Sequence, residues 1–249
     1  PKISAMLTSL STIFILSLFA QTTVPEGDSG FELEGNFDLG VAIISGNSKS
    51  ANSALNYDLS YLHSVHKLDF GFHYQGVRDT DQDSDISTTS SRLYRSSLQY
   101  NYYFSEDKET YLWTNVANRQ DKPSGLISRV NAGSGIGYHI LLGDDIDLNL
   151  EAGAAYVDEE KASALSESTV TRFAIDLSWP INDNLSIHSS SEFLSSTDIE
   201  TYGQDFNLRY TLENNWYLQF SNNTAYDAYP SAGSLTTDSR FNLTLGTAF

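Results

Sequence analysis

Apolar residues recur at every second position from Phe31 onward. Between residues 31 and 43 the odd positions are apolar or glycine, whereas the even positions include Glu32, Glu34, Asn36 and Asp38. The same alternation returns at residues 68–75, 146–156 and 241–249. A period of two is the pattern of a β-strand with one apolar and one polar face. The sequence therefore predicts a protein built from amphipathic strands.

Twelve such strands fit into the chain. They are predicted at residues 31–45, 50–63, 67–78, 91–104, 109–119, 128–141, 146–157, 168–179, 185–195, 201–212, 216–226 and 236–249. After a tight connection at 46–49, short turns at 64–66, 105–108, 142–145, 180–184 and 213–215 alternate strictly with longer polar loops at 79–90, 120–127, 158–167, 196–200 and 227–235. Bacterial outer-membrane barrels alternate short periplasmic turns with longer outer loops in this way. An even strand number then places both ends of the barrel in the periplasm.

Aromatic residues gather toward both ends of the predicted strands. Those near the short turns are Trp113, Trp179, Trp216, Tyr102, Phe104, Tyr138 and Phe249, and those near the loops are Tyr74, Tyr94, Tyr156, Tyr202 and Tyr226. Amphipathic rings at both interfaces form the two girdles of a membrane barrel. The alternative, a secreted β-sandwich, would place its aromatic residues mid-strand in a core. We therefore predict an all-β fold, a transmembrane antiparallel up-and-down β-barrel of about 12 strands.

The first 20 residues are typical of a secretory signal. Lys2 supplies a positive charge, an apolar run extends from Ile13 to Phe19, and Ala20 is a small residue at a cleavage point. The run is shorter than the ~20 residues of a membrane-spanning helix. We expect a signal peptide at 1–20, a periplasmic segment at 21–30 and the barrel at 31–249; a buried N-terminal helix is the alternative.

The composition narrows the function classes. The formal net charge is −18 at pH 7, and the chain has no cysteine. Such a charge repels nucleic acid and favours divalent cations and cationic solutes. The missing cysteines exclude a thiol nucleophile, a thiolate metal site and a thiol redox function. We expect as partners outer-membrane lipid, lipopolysaccharide and the barrel-insertion machinery, which would read the aromatic residue Phe249.

Two stretches carry a family resemblance. Residues Gly40–Ser48 read GVAIISGNS, and residues Arg129–Tyr138 read RVNAGSGIGY and are followed by Leu148–Gly153. They resemble the opening G…SGN(T/S) motif and the central R…G.G.GY motif of the salt-induced outer-membrane protein family. The resemblance covers residues 31–249 and implies an outer-membrane barrel linked to salt or osmotic conditions. It implies neither a mechanism nor catalytic residues.

Three glycines of the second motif, Gly133, Gly135 and Gly137, alternate on the face predicted to line the lumen. Positions without side chains let a barrel wall coil sharply, or let opposite side chains approach closely. We expect the glycines to serve the shape of the strand rather than to form a ligand groove.

One short pattern could carry catalysis. His188, Ser189 and Ser190 have the His-x-Ser spacing of some outer-membrane lipid hydrolases, in which a serine nucleophile needs a base within hydrogen-bond reach. The register places His188 and Ser190 in the lumen, however, where lipid does not reach. A hydrogen bond between lumen side chains is the alternative.

A second pattern could hold a cation. Asp79, Asp81, Asp83 and Asp85 occupy alternate positions of a predicted outer loop, as at the start of a calcium loop. Serines replace the glycine and the final glutamate of that motif. These carboxylates are a candidate site for a loosely bound Ca²⁺ or Mg²⁺, with a solvated acidic loop as the alternative. No other cofactor is expected.

Charged residues in the lumen register suggest a third site. If the hairpin of strands 8 and 9 turns symmetrically about Asn182, Arg172 faces Glu192 and Asp176 faces His188. Two more arginines lie at a similar depth below their own loops. We predict a lumen constriction formed by Arg95, Arg172, Arg240, Glu192 and Glu151. It would orient a dipolar solute or, if closed by pairing, plug the pore; the alternative is pairs that only fix the hairpin register.

These patterns favour a non-enzymatic barrel that acts as a narrow channel or as an envelope-stabilising protein. Barrels of about eight strands have a filled interior, and those of about sixteen to eighteen strands have an open channel. An intermediate strand number is compatible with a narrow pore or a plugged one. The alternatives are an outer-membrane lipid-modifying hydrolase and a surface binding or adhesion module that uses the acidic loops.

Overall fold

Twelve antiparallel strands make up most of the described chain. The computed structural model describes residues 31–44, 49–80, 87–143, 145–162, 164–230 and 235–249. The strands are β1 (Phe31–Ile44), β2 (Lys49–His63), β3 (His66–Thr80), β4 (Ser87–Tyr103), β5 (Thr110–Asp121), β6 (Leu126–Leu142), β7 (Ile146–Lys161), β8 (Ala164–Asn182), β9 (Leu185–Ser195), β10 (Glu200–Thr211), β11 (Trp216–Asp227) and β12 (Thr237–Ala248), with a short 3-10 helix at Lys122–Ser124. The predicted signal peptide and periplasmic segment lie outside the described residues. Among those residues, no helix has the length and apolar character needed to cross a membrane.

Each strand pairs with the next, and β12 pairs with β1, so the sheet closes into a barrel. Side chains of one register point outward, and large apolar ones such as Leu98, Ile136 and Leu243 stay exposed on the outer surface. Side chains of the other register point into the lumen, where Asp38 and Asn131 are buried. An apolar exterior around a polar interior suits lipid, because closure leaves no strand edge unpaired. The protein is therefore an outer-membrane β-barrel, and the predicted fold is confirmed.

The barrel has two unlike ends. At one end, which we call the terminus side, β1 begins, β12 ends, and the connections are 64–65, 104–109, 143–145, 183–184 and 212–215. The opposite end, the loop side, carries connections 45–48, 81–86, 122–125, 162–163, 196–199 and 228–236. The predicted strict alternation of short and long connections is wrong, because only two residues separate β7 from β8. Both strands continue through the predicted loop 158–167, where their residues stay paired as far as Lys161 and Ala164.

The seam that closes the barrel is short. β1 pairs with β2 from Phe31 to Ile44, whereas the β1–β12 register extends only from Asn36 to Leu39 on β1. Two backbone hydrogen bonds between Gly35 and Phe249, of 2.8 and 2.9 Å, extend the seam at the terminus side. The Phe249 ring fills the space beside Gly35, where a Cβ would stand 2.5 Å from it. Phe249 thus fastens the first strand to the last.

The β8–β9 hairpin has a different register from the predicted one. Its turn is centred between residues 183 and 184 rather than at Asn182, and a bulge between Pro180 and Asn182 then moves the ladder back by one position. Arg172 is opposite Leu194 rather than Glu192, and Asp176 is displaced from His188 in the same way. The predicted direct opposition is wrong because the turn lies further along the chain than the predicted centre at Asn182, and the bulge offsets only part of that difference. The displacement is two residues, so every side chain keeps its face and diagonal contacts remain within reach.

One aromatic residue predicted for the girdles lies inside the barrel. Trp113 is 1% exposed and faces the lumen. Its prediction was wrong because both faces of β5 mix polar and apolar residues, so hydrophobicity alone does not mark the lipid face. Other predicted girdle residues are exposed on the outer surface, namely Tyr102, Phe104, Tyr138 and Trp179 toward the terminus side and Tyr94, Tyr156 and Tyr226 toward the loop side.

Candidate solute site in the barrel lumen

The lumen contains a cavity of about 1110 Å³. It extends from Asp107 and Pro180 at the terminus side to Arg129 and Thr201 toward the loop side. Most of the residues that line its wall have charged, amide or hydroxyl side chains. Such a wall is suited to water and small polar solutes rather than to a lipid chain.

A tryptophan covers two glycines in the cavity wall. Trp113 on β5, Gly135 on β6, Gly153 on β7 and Arg172 on β8 are successive partners in the ladder. A Cβ on Gly135 or Gly153 would stand 2.7 or 2.6 Å from the indole Cζ2, so the ring occupies the space of the missing side chains. The Arg172 Cζ lies 4.4 Å from the ring centroid, within the range of a cation–π contact. The two glycines thus let one tryptophan reach across two strands and position an arginine.

Arg172 is the centre of an ion-pair cluster. Its Nη1 donates to Glu151 Oε2 at 2.7 Å, and its Nε donates to Glu192 Oε1 at 2.6 Å. Glu151 also accepts hydrogen bonds from the Tyr111 hydroxyl at 3.1 Å and from Gln99 Nε2 at 2.8 Å. The structure therefore brings together three of the five residues predicted to form a constriction.

The other two predicted constriction residues make contacts across the lumen. Arg95 Nη1 on β4 donates to Asp205 Oδ1 and Oδ2 on β10, at 3.1 and 2.8 Å. These two strands stand on opposite sides of the closed ring. Arg240 on β12 reaches Asp121 on β5 in a similar way, with Nη2 2.6 Å from Oδ2. Each pair joins walls that share no ladder hydrogen bonds, so each pair obstructs the passage between them.

A third set of cross-lumen contacts lies closest to the loop side. Arg129 on β6 and Lys161 on β7 both bind Asp227 Oδ2 on β11, at 3.3 and 2.8 Å. Both also bind Glu159, which is only 3% exposed. We call Arg129, Glu159, Lys161 and Asp227 the loop-side cluster. An apolar patch inside the lumen consists of Ala155, Val157, Val170, Leu194 and Ile199.

Three arginines lie side by side at the upper limit of the cavity, that is, at its end nearest the loop side. Arg95, Arg119 and Arg129 are direct ladder partners on β4, β5 and β6, and we call them the arginine row. Arg119 makes no hydrogen bond or ion pair within the described part of the chain, and its Nε is buried without a partner. Repulsion from Arg95, Arg129 and Arg240 acts on it, against a weaker attraction to Asp205, the carboxylate that binds Arg95. Sequence reasoning missed Arg119 and Arg129, although both occupy lumen positions of their strands.

Carboxylates prevail in the lumen nearer the terminus side. Asp58, Asp69 and Asp176 line the cavity there. Among their neighbours, Lys67 Nζ lies 3.2 Å from Asp69 Oδ2, and His73 Nε2 lies 3.2 Å from Asp58 Oδ1. The cavity therefore has an acidic lower part and an arginine-rich upper part.

The predicted lumen pair is in contact despite the register shift. His188 Nε2 lies 3.4 Å from Asp176 Oδ2. The other ring nitrogen, Nδ1, lies 3.1 Å from Ser178 Oγ on the opposite strand. The serine beside this histidine is therefore Ser178, and no hydrogen bond joins His188 to Ser190 within the described residues.

The acidic segment proposed for a cation is only partly described. Asp79 is exposed near the end of β3, opposite Thr88. Asp81, Asp83 and Asp85 lie outside the described residues. In the described ranges, no group of three or more histidine, aspartate or glutamate side chains could hold a metal ion. The calcium or magnesium site stays a prediction.

A family model described as a protein of unknown function, DUF481, matches residues 37–249. The chain belongs to the DUF481 family. The match begins within β1 and ends at Phe249, so it covers nearly the whole barrel. The resemblance to salt-induced outer-membrane proteins concerns the same residues, and its link to salt stays a prediction.

Comparison with solved structures also finds similar barrels. The DUF481 barrel is similar to an outer-membrane channel from Pseudomonas putida F1, with 14% identity, a TM-score of 0.48 and coverage of 91% of this chain and 100% of that one. It is also similar to the NanC porin, with 9% identity, a TM-score of 0.47 and coverage of 88% of this chain and 99% of that one. A third similar structure is the translocator domain of the autotransporter NalP from Neisseria meningitidis, with 9% identity, a TM-score of 0.41 and coverage of 99% of this chain and 97% of that one. Comparison with curated proteins gives no match.

Proposed function

We propose that this barrel is a narrow, non-enzymatic outer-membrane channel for small polar solutes. The observation that carries the proposal is the cavity of about 1110 Å³, whose wall is charged and polar from the terminus side up to the arginine row. A barrel that only stabilised the envelope would gain more stability from an interior filled with apolar side chains. The polar cavity therefore favours passage over a purely mechanical role.

The cross-lumen pairs give this channel a narrow section. Arg95–Asp205 and Arg240–Asp121 link opposite walls, so a solute must pass between or displace them. In the proposed orientation the terminus side faces the periplasm, and the narrow section lies in the outer half of the membrane. A link to salt or osmotic conditions, implied by the sequence resemblance, would be tested by comparing growth of cells with and without the protein in raised NaCl.

Single-channel recording in planar bilayers tests the proposal. The purified barrel is expected to give small uniform current steps. The double variant Arg95→Ala with Asp205→Ala removes one charge of each sign together with a cross-lumen pair, so its steps should be larger. The control variant Lys67→Ala with Asp69→Ala removes a pair that lies on one strand and should leave the step size nearly unchanged. Folded barrels that give no current in any of these forms would contradict the channel.

A second candidate function rests on one constellation. Ser178, His188 and Asp176 follow one another in the order of a serine hydrolase triad, at 3.1 and 3.4 Å, although Nδ1 faces the serine and Nε2 the carboxylate, the reverse of the usual arrangement. Their lumen position excludes lipid in the surrounding membrane as the substrate. Strand N–H groups are used in the ladder, so an oxyanion would need side-chain donors. Equal hydrolysis of a soluble ester by the wild type and by Ser178→Ala would remove this candidate.

The adhesion alternative is tested separately. Of the acidic loops it would use, the segment with Asp79, Asp81, Asp83 and Asp85 is described only at Asp79. Binding of whole cells to a surface with and without this protein would decide it.

A further inference from the structure

We infer that the arginine row forms a binding site for an oxyanion group, a carboxylate or a phosphate, of a small solute in the lumen, with Arg119 as its main ligand. The inference deepens the proposed channel function and rests on it for its biological setting. Binding itself can be measured whether or not the barrel conducts.

The first argument is an imbalance of charge. Ion pairs with acidic side chains are made only by the outer members of the arginine row: Asp205 binds Arg95, and the two acids of the loop-side cluster bind Arg129. Arg119 stands between them with no acidic partner in the described chain, and its Nε is buried without an acceptor. Cations directly opposite each other destabilise a sheet, and an unsatisfied buried donor adds to that cost. An anion from solution would relieve both penalties.

The second argument is space. One lumen position closer to the terminus side, Ser97 and Ala117 are ladder partners on β4 and β5. Both line the cavity together with Arg95 and Arg119. Two small side chains below two arginines leave an open approach from the cavity to the guanidinium groups. A solute in the cavity can therefore reach the row without moving a bulky residue.

The third argument concerns the kind of anion. A guanidinium group presents parallel N–H donors that match the two oxygens of a carboxylate or a phosphate, whereas chloride has no such geometry. The chain carries a net charge of −18, and Asp58, Asp69 and Asp176 line the lower cavity. Anions in general are repelled from such a lumen. Selective retention at Arg119 therefore needs the geometric match as well as the local positive charge.

Titration calorimetry of the purified full-length barrel in detergent tests the site. The probes are sodium phosphate and sodium acetate, which distinguish a phosphate from a carboxylate, with sodium chloride at equal ionic strength as reference. The wild type should bind at least one of the two oxyanions more tightly than chloride. Arg119→Gln should weaken that binding about tenfold or more, the effect of losing a charge-assisted contact. Arg119→Lys keeps the charge but loses the planar pair of donors, so its affinity should lie between those of the wild type and Arg119→Gln.

The matched control is Arg92→Gln, which removes the same charge from an exposed position on β4. It should bind the probes as the wild type does. Heat-dependent gel migration verifies folding, and Arg119→Gln should fold at least as well as the wild type because it relieves repulsion. Equal affinities of wild type and Arg119→Gln, or no preference of the folded wild type for either oxyanion over chloride, would overturn the site. Binding that is lost in Arg119→Gln while no form conducts would uphold the site and overturn the channel.

Discussion

The two halves of the lumen hold their charged side chains in different ways. Toward the loop side, charges on opposite walls meet, as in Arg95–Asp205 and in the loop-side cluster. Toward the terminus side, ion pairs stay within one strand or between adjacent strands, as between Lys67 and Asp69, which lie on the same strand. The same closed sheet surrounds both halves. The comparison teaches that a barrel of this width is obstructed by the reach of arginine side chains rather than by bulk alone.

The halves also differ in the groups that fill them. The loop side has aliphatic side chains inside the lumen, including Val157 and Val170. The terminus side has aromatic rings laid against glycines, with Trp113 beside Gly135 and Tyr111 beside Gly137. Aliphatic packing closes space, whereas a ring on a glycine wall lines the space and leaves the centre free. The open part of the cavity is accordingly the aromatic and acidic half.

The largest expected difference between the halves concerns buried charge. Glu159→Gln leaves Arg129 and Lys161 to share Asp227, and it should lower the free energy of unfolding by about 3–5 kcal/mol, as for other broken buried pairs. Asp69→Asn, at the terminus side, breaks a pair whose side chains are about one-third exposed and should cost about 1 kcal/mol or less. Urea unfolding of the two variants in lipid vesicles measures both values. Equal costs would show that the loop-side cluster is solvated.

A smaller effect is expected from two glycines. Gly135→Ala places a Cβ against the Ala152 carbonyl and Trp113, and such overpacking should cost about 1–3 kcal/mol. Gly203→Ala is its control, because a Cβ there meets nothing within 4 Å. That change should be neutral or stabilise the barrel by up to about 1 kcal/mol. Thermal unfolding measures both, and a tolerated Gly135→Ala would mean that the Trp113 ring is not held in place.

Arg172 lies between the two halves, and its ion pairs with its two partners should differ in interaction free energy. The Glu151 side chain is 9% exposed and that of Glu192 is 38% exposed. In double-mutant cycles with Arg172→Gln, the coupling free energy should be about 1.5–3 kcal/mol for Glu151→Gln and about 1 kcal/mol or less for Glu192→Gln. The reverse order would indicate that Glu192 is the partner that fixes the guanidinium.

The last prediction concerns ion selectivity. Removing charge from the two halves should change the selectivity in opposite directions and should affect stability least. Asp58→Asn with Asp176→Asn should make the current less cation-selective, because it removes negative charge from the lower cavity. Arg119→Gln should make the current more cation-selective. The reversal potential across a salt gradient measures both changes. Shifts in the same direction would mean that the two charged zones do not act on the same conducting path.

The sequence was enough to predict the barrel and the face on which each constriction residue lies. A period of two determines the face of a residue on its strand, and Arg172 and Glu151 met because both occupied the lumen face. The exact β8–β9 opposition was missed because the alternation of apolar and polar residues shows neither the centre of the turn nor the bulge in β8.

Two other features depended on contacts between strands. The position of Trp113 depends on Gly135 and Gly153 of neighbouring strands, so its own strand gave no signal. Arg119 escaped notice for a related reason, since its isolation becomes visible only when three strands are aligned in register.

The short seam between β1 and β12 has a consequence for the order of assembly. Each hairpin joins neighbours in the chain, whereas this seam must bring together segments about 200 residues apart, and it has the fewest ladder positions to compensate that loss of entropy. The seam should therefore form last and open first. Until it forms, the sheet has two unpaired edges that can bind other chains. The contact of the Phe249 ring with Gly35 would then set how long the open, aggregation-prone sheet persists before the barrel closes in the membrane.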